Sequence, residues 1–364
     1  MMVSMSRWSI ACALVALVGS VSMVGAQTPV VMAQGLDNPR GMAFGPDGQL
    51  YVVEAGRGGT SSLCLPSPTG PTPRCYGPSG AVTRVLTGTP LRHSRVLGGL
   101  PSLAVPSGAE AAGPHDIDFG FDAAFITVGS GGDPAALQPF RQAGIPLGHL
   151  LLVRYTGQIT PIVDVSAHET ANNPAGGPLD SNLYGLAILA TRGVVTDAGA
   201  NALLQVTPDL AVSTLAVFPS RTVPGPGGTV PMESVPTAVA EGPDGSLYVG
   251  ELTGFPFPVA GARVYRVPAA GGTPVIVADG FTNIIDIAIG PDGAAYVLEH
   301  DANGMLTPGN IGRLVKIGPF GFRAELAAGL LADPGSVAIG PDNAVYVTTN
   351  SSAAGTGQVV RITQ

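Results

Sequence analysis

The residues in this chain that can do chemistry are few, and they recur at matched places. Carboxylates stand at Glu54, Asp197, Glu251 and Glu299, the last followed by His300 and Asp301. Each ends a short apolar run such as Leu50-Tyr51-Val52-Val53. A second polar set precedes or opens other runs: Arg40, the pair His115-Asp116, Asn182, Tyr184, Glu233, Asn283 and Asp286. Carboxylate, imidazole and amide groups ringed together suit Ca²⁺ or a polar organic ligand. His115-Asp116 is the pair least like its surroundings, because the other copies carry small or apolar residues there. The competing reading is structural: an acid after a strand satisfies loop amides, and its recurrence follows from a repeat. His168-Glu169 and His300-Asp301 read as solvated loop residues.

One motif positions these residues. Gly45-Pro46-Asp47-Gly48-Gln49-Leu50-Tyr51 returns at Gly242 to Tyr248, at Gly290 to Tyr296 and, worn, as Gly340-Pro341-Asp342-Asn343-Ala344-Val345-Tyr346. Proline presets φ for the turn, Asp-Gly or Asp-Asn supplies its positive-φ corner, and apolar β-formers flank it, so each copy predicts a tight hairpin. The later copies lie 48 and 50 residues apart, and the first stands 197 residues before the second. A period of roughly 40–50 residues, with four short strands per unit, marks a β-propeller blade. Eroded hairpins at Asp116–Val128 and Leu186–Asp197 bring the count to six. The last unit lacks its outer strand, and Pro29-Val30-Val31-Met32-Ala33 can supply it, closing the ring and removing its open edge. The expectation is an all-β, six-bladed β-propeller, one domain over residues 27–364. Residues 57–80, 101–114, 129–149, 167–183 and 219–236 read as long loops, with a short helix around Ala135–Arg141. Long loops on a rigid scaffold are where function concentrates.

Composition narrows the choices. Only 12% of the 364 residues are charged, the net charge is −8, and Lys316 is the only lysine. No basic stripe can follow a phosphate backbone, which argues against nucleic-acid binding. Arg7, the apolar run Trp8 to Val18 and the small-residue exit Val24-Gly25-Ala26 predict a signal peptide over residues 1–26. The mature chain is then exported, to the periplasm, the cell surface or the medium, with no later segment long enough to span a membrane. Cys64 and Cys75 bracket a proline-rich loop and most simply form a disulfide, a two-thiol metal or redox site being the alternative. There is no Gly-x-Ser-x-Gly elbow, phosphate-binding loop or His-x-x-x-His pair.

Several runs resemble the ScyD/ScyE family, named from gene clusters for an extracellular sunscreen pigment. They are Gly35-Leu36-Asp37-Asn38-Pro39-Arg40-Gly41, Gly113-Pro114-His115-Asp116, Asp180-Ser181-Asn182-Leu183-Tyr184-Gly185, Glu233-Ser234-Val235-Pro236-Thr237 and Gly250-Glu251-Leu252-Thr253-Gly254-Phe255-Pro256-Phe257-Pro258. The resemblance covers essentially the whole mature chain. It implies a secreted NHL-type propeller and assigns no reaction. A looser resemblance to lactonases of the gluconolactonase kind and to strictosidine-synthase-like proteins implies a divalent metal in the channel. Glu54, Asn182, Asn283 and Asp286 would hold it. Two functions follow as expectations. The first is a binding or scaffold module that recognises a protein, glycan or small molecule with its loop-rich face. The second is a metal-dependent hydrolase or lactonase acting at the channel mouth.

Overall fold

The computed structural model describes residues 28–364, so the signal-peptide expectation lies outside the described residues. Six antiparallel sheets follow one another around a central channel. Their innermost strands are Pro39–Phe44, Pro114–Gly120, Leu183–Ile188, Pro236–Glu241, Ile284–Ile289 and Ser336–Ile339, taken as blades 1 to 6. Blade 6 is completed from the N-terminus: Val30–Leu36 pairs with Gly357–Ile362, in register from Val30 against Arg361 to Leu36 against Gly357. Met32, Ala33 and Leu36 are buried by that closure. The chain is a six-bladed β-propeller.

The repeated turn has two glycines for two reasons. Gly48, Gly245 and Gly293 hold φ near +72°, a left-handed corner that glycine occupies without strain, and Asn343 takes it in blade 6 at φ 58°. The leading glycine is fixed by packing instead. A Cβ on Gly45 would stand 2.6 Å from the Tyr51 ring, and one on Gly242 2.4 Å from the Tyr248 ring. The aspartate between them caps the turn, with Oδ1 accepting a backbone N–H at 3.1 Å in all four copies.

Several stretches expected as loops are ordered. Residues 74–85 and 93–104 form two twelve-residue strands, a hairpin that supplies the outer part of blade 1 and carries on beyond it. Register shifts at Gly77, Gly80 and Ala81 break the period-two pattern that would have revealed them. Residues 221–232 form a separate hairpin, Arg221–Gly225 with Gly228–Met232, and Ser166–Asn172 is helical. The short helix after Asp133 spans Pro134–Leu137 and Gln138–Gln142. Cys64 and Cys75 are joined by a disulfide, which ties the loop between them to the blade 1 hairpin. Among the described residues no helix is long and apolar enough to cross a membrane.

Candidate functional site

The carboxylates at the ends of the second strands are struts within their blades. Glu54 is fully buried; its oxygens accept the Asp37 N–H at 2.7 Å, the Thr83 hydroxyl at 2.6 Å and the Arg95 guanidinium at 2.7 Å. Glu251 accepts from the Ser234 hydroxyl, from both terminal nitrogens of Arg221 and from the Tyr265 hydroxyl. Glu299 takes the Thr282 N–H and the Arg313 guanidinium. Asp197 accepts from the Ser181 hydroxyl and from the Asn182 and Ala200 N–H groups. In each of these four blades the acid reaches back 15 to 17 residues to the loop that opened it.

This bears on one member, Glu54, of the metal-ligand set expected from the sequence. Glu54 has donors, one of them a guanidinium, on both oxygens, and Asn283 spends its amide N–H on the Leu252 carbonyl at 2.8 Å. Asn283 keeps its buried Oδ1 without a partner, as Asn182 does, and Asp286 lines the central channel, so Glu54 alone of the four is spent inside its blade. Among the described residues no three His, Cys, Asp or Glu side chains gather as a metal-binding group. The loop acids also differ from expectation. Glu169 is only 2% exposed, and burial, reinforced by the Asp197 charge, pushes its carboxyl up to about 6. Asp301 is buried too, with one oxygen lacking a partner. His300 sets Nδ1 2.8 Å from the Pro334 carbonyl and Nε2 3.2 Å from Asp333. Glu233 is exposed on the rim, and partial desolvation, then the Asp180 charge, raises its carboxyl.

A different group does converge. One residue after the first position of each innermost strand, blades 1, 2 and 3 carry Arg40, His115 and Tyr184 in succession. The matching places in blades 4 and 5 hold Thr237 and Ile285, and Gly335 precedes the blade 6 strand. Polar side chains therefore fill one half of the channel mouth, and small or apolar ones the other. His115 is 3% exposed, its ring 4.7 Å from the Tyr184 ring, and its Nδ1–H donates to the Leu183 carbonyl at 2.7 Å. Burial, then the nearby Arg40 charge, lowers its pKa to about 3. The ring is thus neutral, and Nε2 carries a lone pair. Tyr184 packs against the apolar cluster of blades 5 and 6 that includes Ile285 and Val337. Desolvation raises its hydroxyl above the ordinary tyrosine range, leaving it a proton donor.

Arg40 is the least satisfied member. One terminal nitrogen donates to the Ala111 carbonyl at 3.2 Å, while its buried Nε has no partner. Asn182 lies near the His115 ring, across Gly129, its buried Oδ1 also without a partner. A Cβ on Gly129 would stand 2.2 Å from the His115 ring and 2.6 Å from that oxygen, so the site needs a glycine there.

Beneath this layer a channel of about 260 Å³ is lined by Asp116 and Asp118 from blade 2 and Asp286 from blade 5. Asp116 and Asp286 come from opposite sides of the ring, and both stitch blades together. Asp116 accepts the Leu186 N–H at 2.8 Å, and Asp286 the Val337 N–H at 2.9 Å and the Ser336 hydroxyl at 2.6 Å. Desolvation, then the Asp286 charge, lifts Asp116 well above the usual carboxylate range, and desolvation lifts Asp286 to about 6.

No family model matches the chain, and no curated protein does. Solved structures do. A gluconolactonase-like protein is 10% identical with a TM-score of 0.52, over 93% of each chain. An auxiliary nutrient binding protein from Bacteroides thetaiotaomicron is 10% identical with a TM-score of 0.53, over 90% of this chain and 69% of that one. A streptogramin B lyase is 12% identical with a TM-score of 0.50, over 92% and 97%. The likeness is one of fold. Propellers of this kind serve a lyase, a gluconolactonase-like protein and a binding protein, so the site has to be read from its own side chains.

Proposed function

We propose that the chain is a binding propeller whose loop-rich face takes a small polar ligand bearing an anionic group at the channel mouth. The observation that carries this reading is Arg40: a guanidinium with a buried, unpartnered Nε, flanked by a neutral histidine and a tyrosine hydroxyl. A carboxylate would complete its hydrogen bonds, and charge-assisted pairs to arginine are the strong ones. Tyr184 would donate to the same ligand and His115 Nε2 would accept from it. Residence outside the cytoplasm accords with the N-terminal pattern and with the Cys64–Cys75 disulfide, and membership of the ScyD/ScyE family accords with the loop runs.

The test is calorimetric titration with acetate and propionate against neutral polyols of similar size, on the wild type and on Arg40→Gln. Carboxylates should bind the wild type and lose about tenfold or more in affinity on Arg40→Gln. Equal affinities in the two proteins would remove the reading. A metal-dependent hydrolase is the second reading, favoured by the facing carboxylates Asp116 and Asp286 and by the buried, unpartnered amide oxygens of Asn182 and Asn283, but not by Glu54. Stoichiometric metal in the purified protein, lost together with hydrolysis of simple lactones on chelation, would establish it instead.

A further inference from the structure

A second arginine borders the same site and was not singled out by the sequence. Arg74 is 7% exposed, and among the described residues its side chain makes just two hydrogen bonds, both long, 3.3 Å to the Pro66 carbonyl and 3.3 Å to the Gly131 carbonyl. Its surroundings strip away water, and this desolvation pulls its pKa down. The acids that act on it from a distance are already engaged. Glu110 accepts from the Ser67 and Thr69 hydroxyls, and Asp180 from the Gly132 N–H. A buried guanidinium held only by weak carbonyl contacts is a charge short of a partner.

Its placement joins it to the site. Both terminal nitrogens of Arg74 and the Asn182 amide carbon come within 4.0 Å of the point where a Cβ on Gly131 would stand. Asn182 in turn packs against Gly129 beside the His115 ring. Arg40 and His115 hold matching places on neighbouring innermost strands, which pack closely enough that a Cβ on Gly41 would stand 2.6 Å from the Asp116 Cα. The charges of Arg40 and Arg74 both disfavour the protonated form of His115. Arg74 adjoins Cys75, and the pairs Cys64–Cys75 and Leu65–Arg74 are adjacent rungs of one short ladder. The disulfide therefore fixes the base of the arm that carries this guanidinium over blade 2.

We propose that Arg74 is a specificity-determining residue, so that the site recognises a dianion spanning Arg40 and Arg74, and that the Cys64–Cys75 disulfide holds the second arginine in place. This rests on the anion reading of Arg40. Two ligand chemistries share the requirement: a dicarboxylate, with one group on each arginine, and a phosphomonoester clamped between them. The partnerless Oδ1 of Asn182 calls for a hydroxyl or amine donor on the same ligand.

The experiment is calorimetric titration of the folded, oxidised protein with malonate, succinate, glutarate and glycerol phosphate, each set against acetate and propionate. Wild type, Arg74→Gln, Arg74→Lys and Arg40→Gln are compared, with melting curves to establish that each variant is folded. The expected result is a dianion preference of about tenfold or more in the wild type, abolished in Arg74→Gln because dianion affinity falls much further than monocarboxylate affinity, and partly kept in Arg74→Lys. Mild reduction of the disulfide should reproduce Arg74→Gln. Tightest binding by a dicarboxylate points to separated anionic groups, and tightest binding by glycerol phosphate to a single clamped one; each supports the proposal. If monocarboxylates bind through Arg40 but Arg74→Gln leaves the dianion preference intact, or no such preference exists, the Arg74 proposal falls alone. If no anion binds the wild type, the anion reading falls and takes this one with it.

Discussion

Replacing Glu54 separates a strut from a ligand. Its oxygens serve the Asp37 N–H, the Thr83 hydroxyl and Arg95, all inside blade 1. In Glu54→Leu the first two donors are left buried without a partner, at about 1–3 kcal/mol each. Arg95 is 46% exposed and recovers much of its loss from water, so it adds little. The sum is about 2–6 kcal/mol. Glu54→Gln keeps one acceptor for the Asp37 N–H, and the Thr83 hydroxyl can rotate to accept from the new amide, so that variant should lose only about 1–2 kcal/mol. The assay is equilibrium urea unfolding of the mature protein near neutral pH, run with Ca²⁺ and again with a chelator. A strut predicts the order Leu worse than Gln worse than wild type, with the same differences in both buffers. A metal ligand predicts a Ca²⁺-dependent gain in the wild type that either substitution abolishes. That second pattern, or a loss below about 1 kcal/mol in Glu54→Leu, would refute the argument.

Three further outcomes are expected. Asp286 and Asp116 titrate above their unfolded values, so the folded state binds their protons more tightly. The Asp286 contribution is fully present below about pH 4 and lost as pH rises through about 6, so Asp286→Asn should flatten the slope of urea stability between pH 5 and 7. Gly129→Ala would drive a methyl into His115 and Asn182, abolishing carboxylate binding with a loss of about 1–3 kcal/mol in stability; unchanged binding would show that this ring position is not needed. Deleting residues 28–36 strips blade 6 of its outer strand and exposes the edge of Gly357–Ile362, so size-exclusion chromatography should show association. A monomer with an unmoved unfolding midpoint would contradict closure by that strand.

The blade count was legible because the information is local. Turn chemistry and strand alternation sit within ten residues of each other in four copies. The outer hairpin of blade 1 was hidden because bulges at Gly77 and Gly80 disturb that alternation. Spacing placed the second-strand acids at one end of the blades, but residue type alone cannot tell a carboxylate facing a channel from one facing Arg95, Arg221 or Arg313. That choice depends on contacts between residues 14 to 41 apart. Arg74 escaped notice for a related reason. Its neighbour Cys75 was the only local signal, and its place beside Gly131 and Asn182 arises only once the arm is folded over blade 2.

The contact between the leading glycine of each turn and the tyrosine six residues on bears on how such chains diverge. A Cβ at Gly290 would meet the Tyr296 ring at 3.0 Å, and one at Gly340 the Tyr346 ring at 2.8 Å, so in four blades neither partner can change alone without a clash or a void. The two blades whose turns have eroded lack the tyrosine: Phe121 and Asp122 make the turn in blade 2, and Leu189 to Arg192 in blade 3. Among related sequences the glycine and its tyrosine should therefore appear and disappear together, blade by blade, as one heritable unit.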